Sequence, residues 1–553
     1  DRPDNTFNML LVFWGQFTDH DLTLTAITEL PNDEDFSKTE EVKCGFDGCE
    51  RGTPGQEACW PIPIPDHDPD FPYNRCMKFV RSMEAPHINC QLGAREQLNQ
   101  ASQWLDGSMV YGSTKADQLT LRDLSKPARG QMKMATHPHS NRAGSRVYKP
   151  LLPRFDDDLC RDVNATHHCF LAGDERVNEN GGITVYHVTM VREHNRVETA
   201  LHRLNPRWGG ERLFQETRKV IVAMMQHVTF NEWLPLVLGP QFLRQYDLEV
   251  LPQGHYHGNE PHLDPRVPNS FATAAFRFGH TLLQERLHRA DASGHVDDSL
   301  FLSMTFNRPV AVYDTGRGGM DSLMRGMAGE NCQRYDQFFT KQVTRSLFTE
   351  KPPFGPGMDL LSLNMQRGRD HGLATYNDYR KFCGFGRARD FDDLAQDIPD
   401  HRALEGLRQI YGHVDDIDLF AGGISERSVA GGLVGPTFAC IIGETFRRLR
   451  KADRFWYEND NTVGFSAAQL KEIRKATMSR MLCANSDNME KIQRWAFLMP
   501  DQSTSHREAG PNPVPFYQEM QDVMKGQNNP RVPCASLPEP DLSAWRERPH
   551  SSG

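Results

Sequence analysis

The sequence lacks a long hydrophobic run, an excess of positive charge and a closely spaced cysteine pair. No window approaches the roughly 18 uninterrupted apolar residues that span a bilayer as a helix, so we expect no membrane span. Its 63 lysines and arginines are outnumbered by 73 aspartates and glutamates, which argues against nucleic acid as a partner. The absence of a CxxC motif argues against a zinc site.

The chain also lacks internal repeats, linkers and a signal peptide. Its 553 residues, 38% of them hydrophobic, can bury a sizeable core. Because no linker divides the chain, we predict one domain over residues 1–553, with an extended C-terminal tail over 501–553. The chain opens abruptly at Asp1 ahead of an apolar helix. We therefore expect a processed or truncated start, with an N-terminal part of the domain missing or carried on a second chain.

Twelve cysteines at long spacings indicate disulfides formed in an oxidising compartment. Five of them lie in the turn-rich segment 26–92, where cross-links would replace a hydrophobic core. There, Cys59 and Cys76 form a plausible pair. Other candidate pairs are Cys383 with Cys440 and Cys483 with Cys534. Cys332 has no obvious partner, and both an internal bond and a bridge to a second chain remain open.

Cys160 and Cys169 enclose the sequon Asn164-Ala165-Thr166, an acceptor for N-glycosylation. A short disulfide loop displaying a sequon is typical of the surface of a secreted protein. This loop predicts the Cys160–Cys169 pair and glycosylation at Asn164.

Residues 8–21, NMLLVFWGQFTDHD, join an apolar helical stripe to groups that bind protons. Gln16, Asp19 and His20 recur at the spacing i, i+3, i+4, so all three can point into one cavity. An imidazole held beside an amide and a carboxylate suits general acid–base catalysis. The alternative is a core helix that simply ends in solvated polar groups. Asp21 lies about 100° further round and must face a different neighbour.

Oxygen-bearing residues alternate in SQWLDGS, residues 102–108. Ser102, Asp106 and Ser108 offer side-chain oxygens and Trp104 its carbonyl, a mixture that suits calcium. Because D-G-S is also an ordinary turn, the pattern indicates a calcium site only in combination with Asp21.

Arg176 and Glu179 fall just before a long helical stretch. A guanidinium in a cavity can polarise a peroxide or bind an anion. The simpler alternative is a surface salt bridge with Asp174 or Glu175.

Further along the chain, residues 211–235 predict a core helix, and FATAAFRFGHTLLQE, residues 271–285, predicts a second apolar helix with His280 facing inward. A lone histidine on such a helix is more often a core residue than a ligand. Arg277 precedes His280 by about one turn, and Asn377 and Arg380 follow in a later helical region.

These stretches together resemble the animal haem peroxidases of the peroxidase–cyclooxygenase superfamily, in particular the myeloperoxidase, lactoperoxidase and peroxinectin-like members. The resemblance runs from about residue 8 to residue 547 with motifs in the family order. The motifs are WGQFTDHDL, SMVYGS, CFLAGDERVNE, REHNR, LNPRW, FRFGHTL, NMQRGRDHGLATYN, ACIIG and DRFWYEN. The fold implied is mainly α: helices around a buried haem, with long disulfide-tied loops.

The resemblance also implies roles for the candidate residues. His20 and Arg176 match the distal histidine and arginine, with Gln16 alongside, and His280 matches the axial iron ligand, with Asn377 as the partner of its other ring nitrogen. Asp19 and Glu179 match carboxylates that form ester links to haem b, and Arg277 and Arg380 are placed to pair with its propionates. The calcium site matches the following residues: Asp21, Ser102, Trp104, Asp106 and Ser108.

The activity implied is that of a secreted or granule-stored enzyme that uses hydrogen peroxide to form a ferryl haem, which oxidises small anionic or phenolic reductants. In myeloperoxidase a methionine directly after the glutamate forms a sulfonium link, and here that position is Asn180. We therefore expect bromide, iodide, thiocyanate or phenols, including tyrosyl groups, to be better substrates than chloride. Ser102 replaces the usual threonine and keeps the hydroxyl.

Two alternatives are weighed against this interpretation. A fatty-acid dioxygenase of the cyclooxygenase type needs a tyrosine three residues before the axial histidine, where this chain has Arg277. An adhesion or matrix protein of the peroxinectin type would use the haem site only secondarily, and the RGD and KGD tripeptides are absent. A homo-oligomer or a second processed chain is compatible with each.

Overall fold

Helices form most of the regular structure in the described part of the chain, as the helical spacing of apolar residues predicted. The computed structural model describes residues 2–31, 39–42, 44, 49, 57–87, 91–138, 148–156, 159–164, 166–501, 520, 522, 524 and 529–547. The α-helices are α1 Met9–Leu22, α2 Ser108–Tyr111, α3 Lys115–Leu121, α4 Gly181–Leu204, α5 Gly210–Val228, α6 Leu234–Gln245, α7 Asn269–Thr273, α8 Val310–Tyr313, α9 Gly319–Gly329, α10 Lys341–Thr344, α11 Leu360–Asp370, α12 Tyr376–Phe382, α13 His401–Ile410, α14 Leu419–Ser425, α15 Pro436–Ala452, α16 Ala467–Ile473 and α17 Met478–Asn485.

Short antiparallel strand pairs tie the loops together. The pairs are Pro3–Asn8 with Asn331–Gln333, Glu29–Pro31 with Thr39–Glu41, Ile62–Pro63 with Cys76–Met77, Arg154–Phe155 with Cys169–Phe170, Arg286–Ala290 with Val296–Phe301, and Lys491–Gln493 with Arg531–Pro533. The last pair joins the C-terminal tail to the segment that follows α17. None of the helices in the described residues combines the length and the hydrophobicity of a membrane span.

Helix α1 lies in the middle of the hydrophobic core. Asn8 caps it by accepting a hydrogen bond from the Leu11 amide at 3.4 Å. The Asn8 amide also donates to the Ala496 carbonyl at 2.7 Å, which ties the start of α1 to a distant part of the chain. A methyl group at Gly182 would overlap the ring of Phe13, so glycine there lets α4 pack closely on α1. This packing fixes the polar end of α1 against the start of α4.

The predicted core helix 211–235 is interrupted. Its apolar positions are buried as expected, but α5 ends at Val228 and a π-helical turn, Thr229–Trp233, joins it to α6.

The prediction of one helix over residues 271–285 is wrong. Helix α7 ends at Thr273, and a 3₁₀ helix, Ala275–Leu282, carries His280. In a 3₁₀ helix residues three apart lie on the same face, so Arg277 and His280 share one side.

Disulfides hold the loops at the positions predicted for three of the pairs. Cys160 is bonded to Cys169, Cys383 to Cys440 and Cys483 to Cys534. The Cys160–Cys169 bond closes a loop on which Asn164 is exposed.

The predicted Cys59–Cys76 bond is wrong, because Cys44 is bonded to Cys59 and Cys49 to Cys76. Cys332 is fully buried and forms no disulfide within the described residues. Cys90 lies outside the described residues.

Candidate active site

A cavity of about 490 Å³ brings together residues from distant parts of the chain. Its polar wall contains seven of the residues predicted from the sequence, and leucine, phenylalanine and valine side chains supply much of the rest. The volume is in the range of small-molecule and cofactor sites. The predicted residues at the cavity are Gln16, Asp19, His20, Arg176, Glu179, Arg277 and His280.

His20 is 3% exposed and has two carboxylates near its ring. Nδ1 lies 3.8 Å from Asp174 Oδ1, and Nε2 lies 3.6 Å from Glu179 Oε2. Nδ1 has no hydrogen-bond partner within the described residues. Burial, followed by the charge of Arg176, lowers the pKa of His20 well below its ordinary value. The imidazole is therefore neutral at physiological pH and can accept a proton.

Arg176 forms a two-point ion pair with the buried carboxylate of Asp174. Arg176 Nε donates to Asp174 Oδ1 at 2.9 Å and Nη2 donates to Oδ2 at 2.7 Å, while Nη2 also donates to the Thr23 carbonyl at 2.8 Å. Burial alone would raise the pKa of Asp174, but Arg176 and His20 outweigh it and hold that pKa well below its usual range. The pairing with Asp174 considered from the sequence is present, but it holds the guanidinium in the cavity wall. The sequence reasoning assigned Asp174 no role in the site.

Gln16 links two residues that are adjacent in the sequence. Its amide donates to Glu179 Oε2 at 2.8 Å, and its carbonyl accepts from Asn180 Nδ2 at 3.0 Å. Asp19 accepts from the Thr23 hydroxyl at 2.9 Å. Burial, opposed by Arg176, raises the pKa of Asp19 to about 6 and that of Glu179 to about 7. Both carboxyl groups therefore hold a proton over a wider pH range than exposed ones.

Asn364, and not Asn377, contacts the imidazole of His280. Nδ2 of Asn364 lies 2.9 Å from His280 Nδ1, and Asn364 Oδ1 accepts from Arg277 at 2.8 Å. Burial and the Arg277 charge lower the pKa of His280 to about 3. His280 Nε2 has no hydrogen-bond partner in the described part of the chain, so it is the ring nitrogen left for a ligand.

The predicted role of Asn377 is wrong because its side chain is used elsewhere. Its amide donates to the Ala388 carbonyl at 2.8 Å and to Asp415 at 2.6 Å. Asn364 is the first residue of the motif NMQRGRDHGLATYN. It lies on α11, which packs beside the 3₁₀ helix. The motif contains both asparagines, and spacing along the chain did not say which one faces His280.

The predicted role of Arg380 is also wrong. It donates to Asp397 at 2.7 Å and lies outside the cavity. Arg367 lines the cavity instead, together with Arg277, and its Nη1 donates to the Val80 carbonyl at 2.8 Å. Arg367 lies on α11 and Arg380 on α12. The two helices pack against different parts of the chain, so Arg367 reaches the cavity and Arg380 does not.

The predicted calcium residues gather behind His20. Asp21 accepts from the Ser108 hydroxyl at 2.8 Å and from the Gly107 amide at 3.0 Å. Ser102 donates to Asp106 at 2.9 Å and lies 3.3 Å from the Ser108 hydroxyl. The Trp104 carbonyl lies 3.4 Å from the Ser102 hydroxyl. All five predicted residues thus lie in one cluster, on the side of α1 away from the cavity.

Comparisons with known proteins agree with this architecture. A sequence model of the family described as animal haem peroxidase matches residues 1–497. The chain is 36% identical to the peroxidasin homolog pxn-2 of Caenorhabditis elegans, over 98% of this chain and 38% of that protein. It is also 36% identical to a peroxidase of Drosophila melanogaster, over 99% of this chain and 74% of that protein.

Peroxidase A of Dictyostelium discoideum has a similar structure, with a TM-score of 0.71 and 26% identity over 90% of this chain and 88% of that one. The chain described here belongs to the animal haem peroxidase family. It spans well under half of the peroxidasin homolog and about three quarters of the Drosophila peroxidase. The mainly α peroxidase fold predicted from the sequence is confirmed.

Proposed function

We propose that this chain is a secreted, haem-dependent peroxidase that uses hydrogen peroxide to oxidise small anionic or phenolic reductants. The proposal rests on one observation: His20 and His280, 260 positions apart, line the same cavity. Each has a ring nitrogen without a hydrogen-bond partner in the described residues. Family membership and the relatives' names support the same activity.

The residues at the cavity fit haem. His280 would hold the iron through Nε2, since Asn364 already occupies Nδ1. With iron on Nε2 the ring proton would be on Nδ1, and the Asn364 amide would then turn its Oδ1 to Nδ1 and accept that hydrogen bond. Arg277 and Arg367 offer two positive charges for propionates. Asp19 and Glu179 are the candidates for ester links to haem, and the leucine and phenylalanine side chains suit a porphyrin.

Bound haem would supply the electrons that reduce peroxide to water. The protein's part is proton transfer and charge stabilisation at the distal side. Neutral His20 would take a proton from one oxygen of a peroxide in the cavity and return it to the other, departing oxygen. The Arg176 guanidinium, held in place by Asp174, stabilises the negative charge that develops on that oxygen. Gln16, fixed between Glu179 and Asn180, is placed to orient the peroxide or a water molecule.

We propose that calcium binds the cluster of Asp21, Ser102, Trp104, Asp106 and Ser108. These residues offer carboxylate, hydroxyl and carbonyl oxygens, as calcium requires. Because Asp21 directly follows His20, a cation there would hold the end of α1 and hence the distal imidazole. The five disulfides and the exposed sequon at Asn164 support secretion and glycosylation.

Asn180 supports the proposed substrates, because it replaces the residue that would form a sulfonium link and instead holds Gln16. Bromide, iodide, thiocyanate and phenols are therefore expected to exceed chloride as reductants. Arg277 argues against a fatty-acid dioxygenase, since it occupies the position of the radical-forming tyrosine and hydrogen-bonds to Asn364.

The test is spectroscopic. The full chain, supplied with haem and calcium, should show a Soret band that shifts when peroxide is added. His280→Ala should lose the band, whereas His255→Ala, a control histidine outside the cavity that contacts the Phe465 carbonyl at 2.9 Å, should keep it. Correctly folded protein that binds no haem would overturn the proposal. Mass spectrometry of haem-bearing peptides would report the ester links to Asp19 and Glu179.

A further inference from the structure

A buried tyrosine–histidine pair lies in the core apart from the proposed active site. The Tyr457 hydroxyl is 2.8 Å from Nδ1 of His227, and both side chains are almost completely buried. Burial and the Arg474 guanidinium lower the pKa of His227 to about 3. The imidazole is therefore neutral, and its Nδ1 can accept the hydrogen bond of the phenol. The Tyr457 hydroxyl also contacts the Glu458 carboxylate.

A chain of aromatic rings joins this pair to the cavity. Trp233 lines the cavity, and its ring lies 6.5 Å from that of Phe446, measured between centroids. Phe446 lies 5.7 Å from Phe230, Phe230 lies 4.5 Å from Trp456, and Trp456 lies 4.9 Å from Tyr457. These separations are those of aromatic rings in direct contact.

Three of these residues follow one another along a single helical segment. His227, Phe230 and Trp233 are three residues apart, across the end of α5 and the π-helical turn. π-Helical turns are rare and are frequent at functional sites. Trp456 and Tyr457 come from the loop after α15 and pack against this run.

One carboxylate and two guanidinium groups surround the pair. The Trp456 indole donates to Glu458 Oε2 at 3.3 Å, and Glu458 is fully buried. A carboxylate in a low-dielectric interior stabilises positive charge on a neighbouring ring. Arg450 and Arg474 pair with Glu458 at 3.1 Å and more than balance its charge. Positive charge would therefore not accumulate on the rings, and oxidation of Tyr457 requires loss of its proton to a neighbouring base.

We propose that Tyr457 and His227 form a proton-coupled redox site that receives oxidising equivalents from the cavity through Trp233 and Trp456. The inference rests on the proposed peroxidase function, which supplies the oxidant. Tyr457 would act as an internal electron donor when no reductant occupies the cavity.

The step balances as follows. Reduction of one hydrogen peroxide to two waters takes two electrons from the haem-loaded site and two protons from solvent. Tyr457 returns one of the two electrons along the rings, which leaves the haem-loaded site one electron short until a reductant supplies the second. Its Oη–H bond breaks and the proton moves to His227 Nδ1. The products are a neutral tyrosyl radical and an imidazolium. An oxidised phenol is a strong acid, so a base with a pKa near 3 is sufficient to take the proton.

A second pair provides a matched control. The Tyr111 hydroxyl lies 2.9 Å from Nδ1 of His194, and both residues are buried. Within the described residues, the ring contacts of this pair end at Phe214, away from the cavity. Tyr111→Phe and Tyr457→Phe remove the same hydroxyl from the same kind of environment, so they differ mainly in the ring chain.

The experiment uses the haem-loaded full chain, mixed with hydrogen peroxide without reductant and frozen for electron paramagnetic resonance. Ring-deuterated tyrosine identifies a tyrosyl signal by its narrowing. We expect this signal in the parent and in Tyr111→Phe, and its loss in Tyr457→Phe. Phe230→Leu, which keeps the pair and interrupts the rings, should lower its yield and serves if Tyr457→Phe does not fold.

A tyrosyl signal that persists unchanged in Tyr457→Phe, or in Phe230→Leu if only that variant folds, overturns the inference. So does its absence from a parent protein that still oxidises added iodide with peroxide; the proposed function then stands. Protein that does not react with peroxide when iodide is present overturns the proposed function and, with it, the source of oxidant.

Discussion

The amide of Asn364 lies against the imidazole of His280, with 2.9 Å between Nδ2 and Nδ1. The contact joins α11 to the 3₁₀ helix and leaves Nε2 of His280 for the proposed haem iron. Residues that orient a metal-binding histidine commonly change metal affinity or activity by about 10- to 100-fold when replaced.

Asn364→Ala is therefore expected to weaken haem retention or shift the Soret band, by freeing the His280 ring. The measurement is haem content and the absorption spectrum after gel filtration. The control is Asn377→Ala, which removes hydrogen bonds to Ala388 and Asp415. It should leave the haem content and the absorption spectrum unchanged. A haem defect in the control but not in Asn364→Ala would contradict the assignment.

His20→Ala should keep haem and slow the reaction with peroxide by roughly 10²- to 10⁴-fold, the usual contribution of a general acid–base group. Stopped-flow absorption gives the rate. His187→Gln is the control. His187 is buried, its ring centroid lies 5.0 Å from that of Phe17, and it does not line the cavity. Near-normal peroxide turnover in His20→Ala would remove the proposed base from the scheme.

Asp174→Asn should destabilise the protein, because it removes the partner of Arg176, whose side chain is only 22% exposed. The expected loss in the free energy of unfolding near neutral pH is about 1 to 3 kcal/mol, between the values for an exposed and a fully buried pair. The Asp174 pKa is depressed in the folded state, so its contribution is complete above the unfolded value of about 3.9 and is lost as pH falls through the folded value. The difference between parent and variant should therefore shrink in acid.

Denaturant titrations at neutral and acidic pH measure this effect. Asp162→Asn is the matched control, since Asp162 pairs with Arg308 at 2.9 Å but is 62% exposed. Exposed pairs contribute about 0 to 1 kcal/mol. Equal effects of the two substitutions would mean that the Arg176–Asp174 pair contributes no more to the free energy of unfolding than an exposed ion pair.

Removal of calcium should lower the melting temperature and disturb the distal side. A cation present at about 100 times its dissociation constant adds roughly 2.7 kcal/mol to the stability of a protein that binds it only when folded. Thermal unfolding with calcium, with magnesium and with chelator measures the effect. Asp21→Asn should abolish the difference. Identical unfolding of the parent in all three conditions would rule out the proposed site.

The sequence by itself determined the residues that act together over short distances. Helical spacing placed Gln16, Asp19 and His20 on one face and Asp21 on another, because helix geometry fixes these angles locally. The motif order identified the family, and the predicted disulfides at Cys160–Cys169, Cys383–Cys440 and Cys483–Cys534 are present.

Only the tertiary structure decided between equivalent candidates far apart in the chain. It selected Asn364 over Asn377, Arg367 over Arg380, and the bonds Cys44–Cys59 and Cys49–Cys76 over Cys59–Cys76. It also showed that the Asp174–Arg176 pair, which the sequence offered only as a surface salt bridge, holds Arg176 at the cavity. These choices depend on which helices and loops pack side by side, and spacing along the chain carries no information about that.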